Sequence, residues 1–191
     1  MRDMANIKAV AELSPDYVGF IFYEKSPRFV GKDFKIPVEN AVGVFVDDTT
    51  ANILATNVTT VQLHGNESPE QCKELKSRNI TVIKVFAIDD DFDFSRTGPY
   101  EDVVDYFLFD TKGKFYGGNA YPFDWNKLNE YNQSKPFFLS GGLNAQNLMN
   151  LDLLSGMNLY AIDLNSGVED SPGVKNVDKI KEVKYRITNN E

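Results

Sequence analysis

VQLHGNESPEQCKELKSRNITVIKVF, residues 61–86, decides the fold of this chain. It opens on a short apolar run, residues 61–65, that stops at a histidine and a glycine. Ser68-Pro69-Glu70-Gln71 then places a capping serine, a proline at the first helical position and a glutamine three residues after the cap. That combination is a helix start, and the helix is expected to run to about Arg78. A second apolar run, residues 81–86, follows at once. Strand, helix and strand in immediate succession form a βα unit, and strands joined through a helix run parallel.

The unit recurs outward in both directions. Further apolar runs lie at residues 17–23, 41–47, Tyr106–Thr111, 136–142 and 159–167. They are rich in Val, Ile and Phe, as strands of a parallel sheet buried on both faces are. The expected fold is therefore α/β, a (β/α)8 TIM barrel in a single domain over residues 1–191, incomplete at the N-terminus. Seven strands are identifiable, and the first strand is missing from this chain. Residues 3–13 read as a helix capped by Asp3, the second half of a βα unit without its strand. Helices are also expected over 49–56, 125–132, 145–154 (capped by Asn144) and 177–186. Residues 32–40 read as a short amphipathic piece that Pro37 keeps irregular. Residues 112–122 read as a mobile loop over the site.

The 191 residues carry a formal net charge of -8. An acidic surface repels nucleic acid and anionic lipid, so neither is expected as a partner. A phosphorylated substrate remains compatible, because backbone N–H groups at glycine turns and helix starts bind phosphate without lysines. A single cysteine forms no internal disulfide and suits a reducing compartment. No stretch approaches the ~20 apolar residues of a membrane span. A cytoplasmic protein is expected.

In a barrel of this class the active site lies at the C-terminal ends of the strands. Asp110 ends the run Phe107-Leu108-Phe109. Apolar surroundings favour its protonated form and suit a general acid; the alternative is an aspartate that caps a loop. His64, the only histidine, is a candidate acid/base group or substrate donor, against a packed imidazole. Arg28 can bind a carboxylate with its guanidinium fork. Lys84, inside an apolar run, must face the barrel mouth or a partner. Gly141 and Gly142, with Asp163, Ser166 and Gly167, mark glycine-bearing ends on the last two runs, where this fold commonly holds phosphate. Cys72 and Leu75 share a helical face, so the thiol reads as packing. One His and one Cys make a poor zinc site, and neither metal nor cofactor is expected.

Together these segments resemble the phosphoribosylanthranilate isomerase family. The matching stretches are Val18-Gly19-Phe20-Ile21-Phe22-Tyr23-Glu24-Lys25-Ser26-Pro27-Arg28, Val42-Gly43-Val44-Phe45-Val46, Val61-Gln62-Leu63-His64-Gly65 and Val82-Ile83-Lys84. Phe109-Asp110-Thr111, Tyr116-Gly117-Gly118, Phe123-Asp124-Trp125 and Leu139-Ser140-Gly141-Gly142-Leu143-Asn144 follow in family order. Ile162-Asp163-Leu164-Asn165-Ser166-Gly167-Val168-Glu169 with Pro172-Gly173 completes them.

The resemblance implies a cofactor-free Amadori rearrangement in tryptophan biosynthesis. N-(5-phosphoribosyl)anthranilate becomes 1-(2-carboxyphenylamino)-1-deoxyribulose 5-phosphate. By that resemblance Asp110 is the general acid and Arg28 holds the anthranilate carboxylate. Gly141, Gly142, Asp163, Ser166 and Gly167 fall in the phosphate-binding loops, and His64 lines the site. The family is often monomeric, while open strand edges would give this chain a route to association.

The family begins with a strand ending in Lys-x-Cys-Gly, whose cysteine is the general base, and Met1-Arg2-Asp3 corresponds to residues just after it. Low activity of the chain as given, and a start upstream of Met1, are the expectations. The glycine loop also departs from the family, reading Gly117-Gly118-Asn119-Ala120. The competing readings are a non-catalytic barrel that binds a phosphorylated ligand and another phosphate-binding barrel enzyme such as indole-glycerol-phosphate synthase.

Overall fold

The computed structural model describes residues 1–111 and 124–189. The loop expected at 112–122, with its Gly117-Gly118-Asn119-Ala120 departure, lies outside the described residues. Seven strands pair in sequence order: β1 (Val18–Ile21), β2 (Ala41–Phe45), β3 (Thr60–Leu63), β4 (Thr81–Ile88), β5 (Tyr106–Thr111), β6 (Phe137–Leu139) and β7 (Leu159–Ile162). Every neighbouring pair is parallel. All seven runs read from the sequence are strands, most of them shorter than the apolar runs that contain them. His64, Gly141, Gly142 and Asp163 fall in the loops just beyond their strands, while Asp110 lies inside β5, at the end of the ladder.

The helices are α1 (Met4–Ala11), α2 (Thr50–Ala55), α3 (Pro69–Ser77) and α4 (Val177–Thr188). Asp3 caps α1 by accepting from the Asn6 amide. Ser68 caps α3 through the Gln71 amide, with Pro69 in its first turn. The Gln71 side chain does not reach back to the cap. Its amide donates to the Asp48 carbonyl and ties α3 to the loop after β2.

Two expected helices are corrected. Residues Trp125–Glu130 and Asn147–Leu154 are 3-10 helices. Asn and Asp side chains compete for backbone groups and weaken the α form. Asp124 accepts from the Asn126 amide. Asn144 accepts from the Gln146 and Asn147 amides, and Asn147 turns its own side chain onto Asn144 N and Gly142 O. Residues 32–40 form no helix and instead lay Phe34, Ile36 and Val38 against the core. The segment around Pro172-Gly173 is an antiparallel hairpin of β8 (Glu169–Ser171) and β9 (Val174–Lys175).

Side chains alternate across each strand, and here they separate two cores. Val61, Leu63, Phe107, Phe109, Phe137 and Leu139 face the helices. Val42, Ile83, Val85, Leu108 and Phe138 form a second cluster, with Tyr17, Tyr106 and Ala161 packed on it. That second cluster lines the inside of the curled sheet.

Among the described residues β1 pairs only with β2 and β7 only with β6. In a flat sheet the two end strands would lie roughly 29 Å apart, at about 4.8 Å per strand spacing. The Tyr17 and Tyr160 hydroxyls instead meet at 3.1 Å. The sheet therefore curls until its ends face each other, which sets the strand termini around one mouth.

Cys72 is buried in the outer core, as its helical phase predicts. Burial pushes its thiol up to about 11. A thiol reagent at neutral pH is expected to label Cys72 only on unfolding. Stoichiometric labelling of native protein within minutes, followed by absorbance, would contradict this placement.

Candidate active site

The parity of the strands decides what reaches the mouth. Leu108 lies in the inner cluster, so Asp110, two residues on, points the same way. The same step takes Ala161 to Asp163 and carries Gln62 to His64. His64 Nε2 stands 3.3 Å from Asp110 Oδ2. Gln62 Nε2 donates to Asp163 Oδ2 at 3.1 Å. The two carboxyls thus enter one space from β5 and β7, each with a side chain of the β3 segment beside it. Burial raises the Asp163 pKa above the ordinary aspartate range, Gln62 and Lys175 oppose that rise, and the nearby Asp110 charge adds to it. Asp163 accordingly holds a proton more readily than a surface aspartate.

His64 is held from behind by an ion pair. Lys84 Nζ and Glu67 Oε2 are 2.9 Å apart, with side chains 3% and 0% exposed. Lys84 also donates to the carbonyls of Leu63 and Gly65, on either side of His64. Glu67 accepts from the Gly65 and Asp47 amides. The turn that presents the imidazole is thereby pinned on both sides. Lys84 does have a partner, as its place in an apolar strand requires. Glu67 is the site-supporting residue that sequence reasoning missed: a glutamate after Gly65-Asn66 looks like any loop carboxylate.

The two glycine turns meet. Gly141 and Gly142 have φ of 107° and 69°, a region open to glycine and strained for other residues. A methyl group on Gly141 would also overlap the Thr111 side chain. Gly167 sits against the Leu143 carbonyl oxygen with no room for a Cβ. Among the described residues no protein acceptor takes the amides of Gly141 and Gly142. Ser166 opens the short 3-10 turn Ser166–Val168 and is exposed. Gly167→Ala is expected to cost about 1–3 kcal/mol, the range for overpacking, and to push the two turns apart. Thermal melting together with displacement by inorganic phosphate measures both effects. An unshifted melt with unchanged phosphate binding would show that the contact yields freely.

Arg28 follows β1, and its fork is engaged within the protein. Nε and Nη2 donate to the Glu169 carboxylate, the shortest contact being 2.6 Å. Lys175 Nζ meets the same carboxylate at 3.0 Å. Among the described residues no group of three or more His, Cys, Asp or Glu side chains could hold a metal ion. No helix among them is long and apolar enough to cross a membrane.

Comparison with known proteins places the chain in a family. A sequence model described as N-(5'phosphoribosyl)anthranilate (PRA) isomerase matches residues 1–185. The chain belongs to the N-(5'-phosphoribosyl)anthranilate isomerase family. It is 42% identical to the N-(5'-phosphoribosyl)anthranilate isomerase of Parabacteroides distasonis, over 95% of this chain and 87% of that protein. The crystal structure of phosphoribosyl anthranilate isomerase from Thermotoga maritima superposes with a TM-score of 0.83 at 32% identity, covering 98% and 95% of the two chains. A phosphoribosyl anthranilate isomerase solved in complex with reduced 1-(o-carboxyphenylamino)-1-deoxyribulose 5-phosphate gives 0.80 at 30% identity, covering 98% and 95%. This family member is accordingly a TIM-barrel-type isomerase of tryptophan biosynthesis. The resemblance read from the sequence motifs is thus borne out at the level of family, fold and reaction.

Proposed function

We infer that Asp110 is the general acid of the rearrangement, acting on a substrate held at one end by Arg28 and at the other by the two glycine turns. The carrying observation is that Asp110, with His64 at 3.3 Å, opens into the same mouth as the Gly141–Gly142 and Ser166–Gly167 turns. The carboxyl proton passes to the furanose ring oxygen. The bond between that oxygen and C1 breaks, and the anthranilate nitrogen supplies its electron pair to form an iminium at C1. A base then takes the proton from C2, leaving an enolamine that tautomerises to the 2-ketone. The resemblance assigns that base to the cysteine of Lys-x-Cys-Gly. No atoms are gained or lost and no external oxidant is needed.

His64, with Nε2 at 3.3 Å, is placed to steady the carboxylate once the proton has left. Glycine amides without an acceptor among the described residues suit a phosphate dianion, because they approach it closely and carry partial positive charge. Arg28 keeps donors beyond its Glu169-facing edge for the substrate carboxylate. The substrate is a phosphorylated sugar joined to anthranilate, and a cytoplasmic, monomeric enzyme without cofactor fits this reading.

Decay of substrate fluorescence tests the function. Turnover by residues 1–191 that disappears when Asp110 is neutralised supports it. Tight binding of the reduced product with no turnover, even after a strand carrying Lys-x-Cys-Gly is supplied upstream, would favour the non-catalytic binding barrel.

A further inference from the structure

The hairpin of β8 and β9 carries two buried charges that the reaction scheme leaves unused. Glu169 and Lys175 side chains are 5% and 9% exposed. Glu169 accepts from Arg28, from Lys175 Nζ at 3.0 Å and from the Gly173 amide at 3.1 Å. Lys175 Nζ goes on to donate to Asn165, to its carbonyl at 2.9 Å and its Oδ1 at 2.7 Å. Asn165 is the residue before Ser166 and Gly167. A continuous line of charge-assisted hydrogen bonds therefore runs from Arg28 through Glu169 and Lys175 to the turn at 165–167.

Four properties set this line apart from a surface ion pair. Both side chains are out of water, so each charge requires the other. Burial pushes the Glu169 carboxyl up, but Arg28 and Lys175 outweigh it and hold the group below the ordinary glutamate range. Burial also lowers Lys175, against the pull of Glu169 and Asp163. The charges of Arg28, Lys175 and Glu169 sum to one net positive, the complement of a single carboxylate. Glu169 occupies the Nε edge of Arg28 and fixes the direction of its remaining donors. A bidentate grip of this kind restricts the guanidinium in rotation as well as position.

We propose that Glu169 and Lys175 are positioning residues that join Arg28 to the 165–167 turn, so that the carboxylate end and the phosphate end of the substrate are gripped as one unit. The proposal rests on the substrate orientation given under Proposed function and extends it to residues that touch no substrate atom. Movement of the arginine is transmitted to the phosphate turn through two rigid links. Loss of either link loosens both ends.

The test uses Glu169→Gln, Lys175→Met and Lys175→Arg in the full chain, at a temperature where circular dichroism shows each variant folded. Calorimetry gives the Kd of reduced 1-(o-carboxyphenylamino)-1-deoxyribulose 5-phosphate, and displacement gives inhibition constants for anthranilate and inorganic phosphate. Glu169→Gln is expected to weaken the two-ended ligand about 10–100-fold, the effect of losing a charge-assisted hydrogen bond. It should also weaken inorganic phosphate by roughly threefold to tenfold, a coupling typical of linked neighbours. Lys175→Met should repeat the phosphate effect and Lys175→Arg should largely restore it; if Glu169→Gln does not fold, this pair carries the test. Phosphate inhibition unchanged in Glu169→Gln and Lys175→Met would overturn the proposal and reduce the hairpin to a brace for Arg28. Failure of the unaltered chain to bind the two-ended ligand would instead reject the functional reading beneath it.

Discussion

Asp110→Asn lowers kcat by about 10²–10⁴-fold, the contribution of a positioned general acid, while KM moves far less. The substitution keeps size and shape, and the side chain is partly exposed beside His64 rather than locked in the core. Folding should therefore be nearly unaffected. The amide cannot supply a proton to the ring oxygen, so ring opening becomes the slow step. Substrate-fluorescence decay, measured with and without the substitution in the chain carrying a Lys-x-Cys-Gly strand upstream, gives the ratio. A variant within a few-fold of its parent, with an unchanged melt, would move the acid to another residue. Asp163 would be the next candidate, because it enters the same space and burial already favours its protonated form.

Lys84→Met destabilises the protein by about 3–5 kcal/mol, the cost of leaving one buried charge without its partner. Three facts make this the largest stability effect expected from one substitution. Glu67 is fully buried, it has no other cation within ion-pair distance among the described residues, and it also holds the Gly65 and Asp47 amides. For a chain of this length, the midpoint falls by about 2–4 °C per kcal/mol. The double variant Lys84→Met with Glu67→Gln removes the orphaned charge and should recover part of the loss. Equal loss in the single and double variants would show that the pair's charge is irrelevant and that only packing matters. Activity should fall beyond the loss of folded protein, because the lysine pins the carbonyls on both sides of His64.

The inner and outer faces of the strands were legible from local pattern. Leu108 and Asp110, or Gln62 and His64, share a face because a strand repeats every two residues. Ser68-Pro69 announced α3 because capping is chemistry within one turn. The failures are local too. The stretch 145–154 has helical spacing, but Asn147 and its neighbours spend their side chains on nearby backbone and leave a 3-10 helix. The β8–β9 hairpin was missed because it is only a few residues long and carries charge where a strand usually carries apolar side chains.

The order and number of the seven parallel strands, the residues at their ends and the family they belong to were settled by the chain's own text. Each follows from periodicity and from motifs a few residues long. Which charges meet was decided only by the closed fold. Lys84 and Glu67 are 17 residues apart in sequence, Arg28 and Glu169 are 141 apart. No local rule links such positions. Lys84 and Glu67 become neighbours because β4 pairs with β3, and Arg28 and Glu169 because the sheet curls until β1 faces β7, which brings the ends of distant strands, with their buried charges, around one mouth.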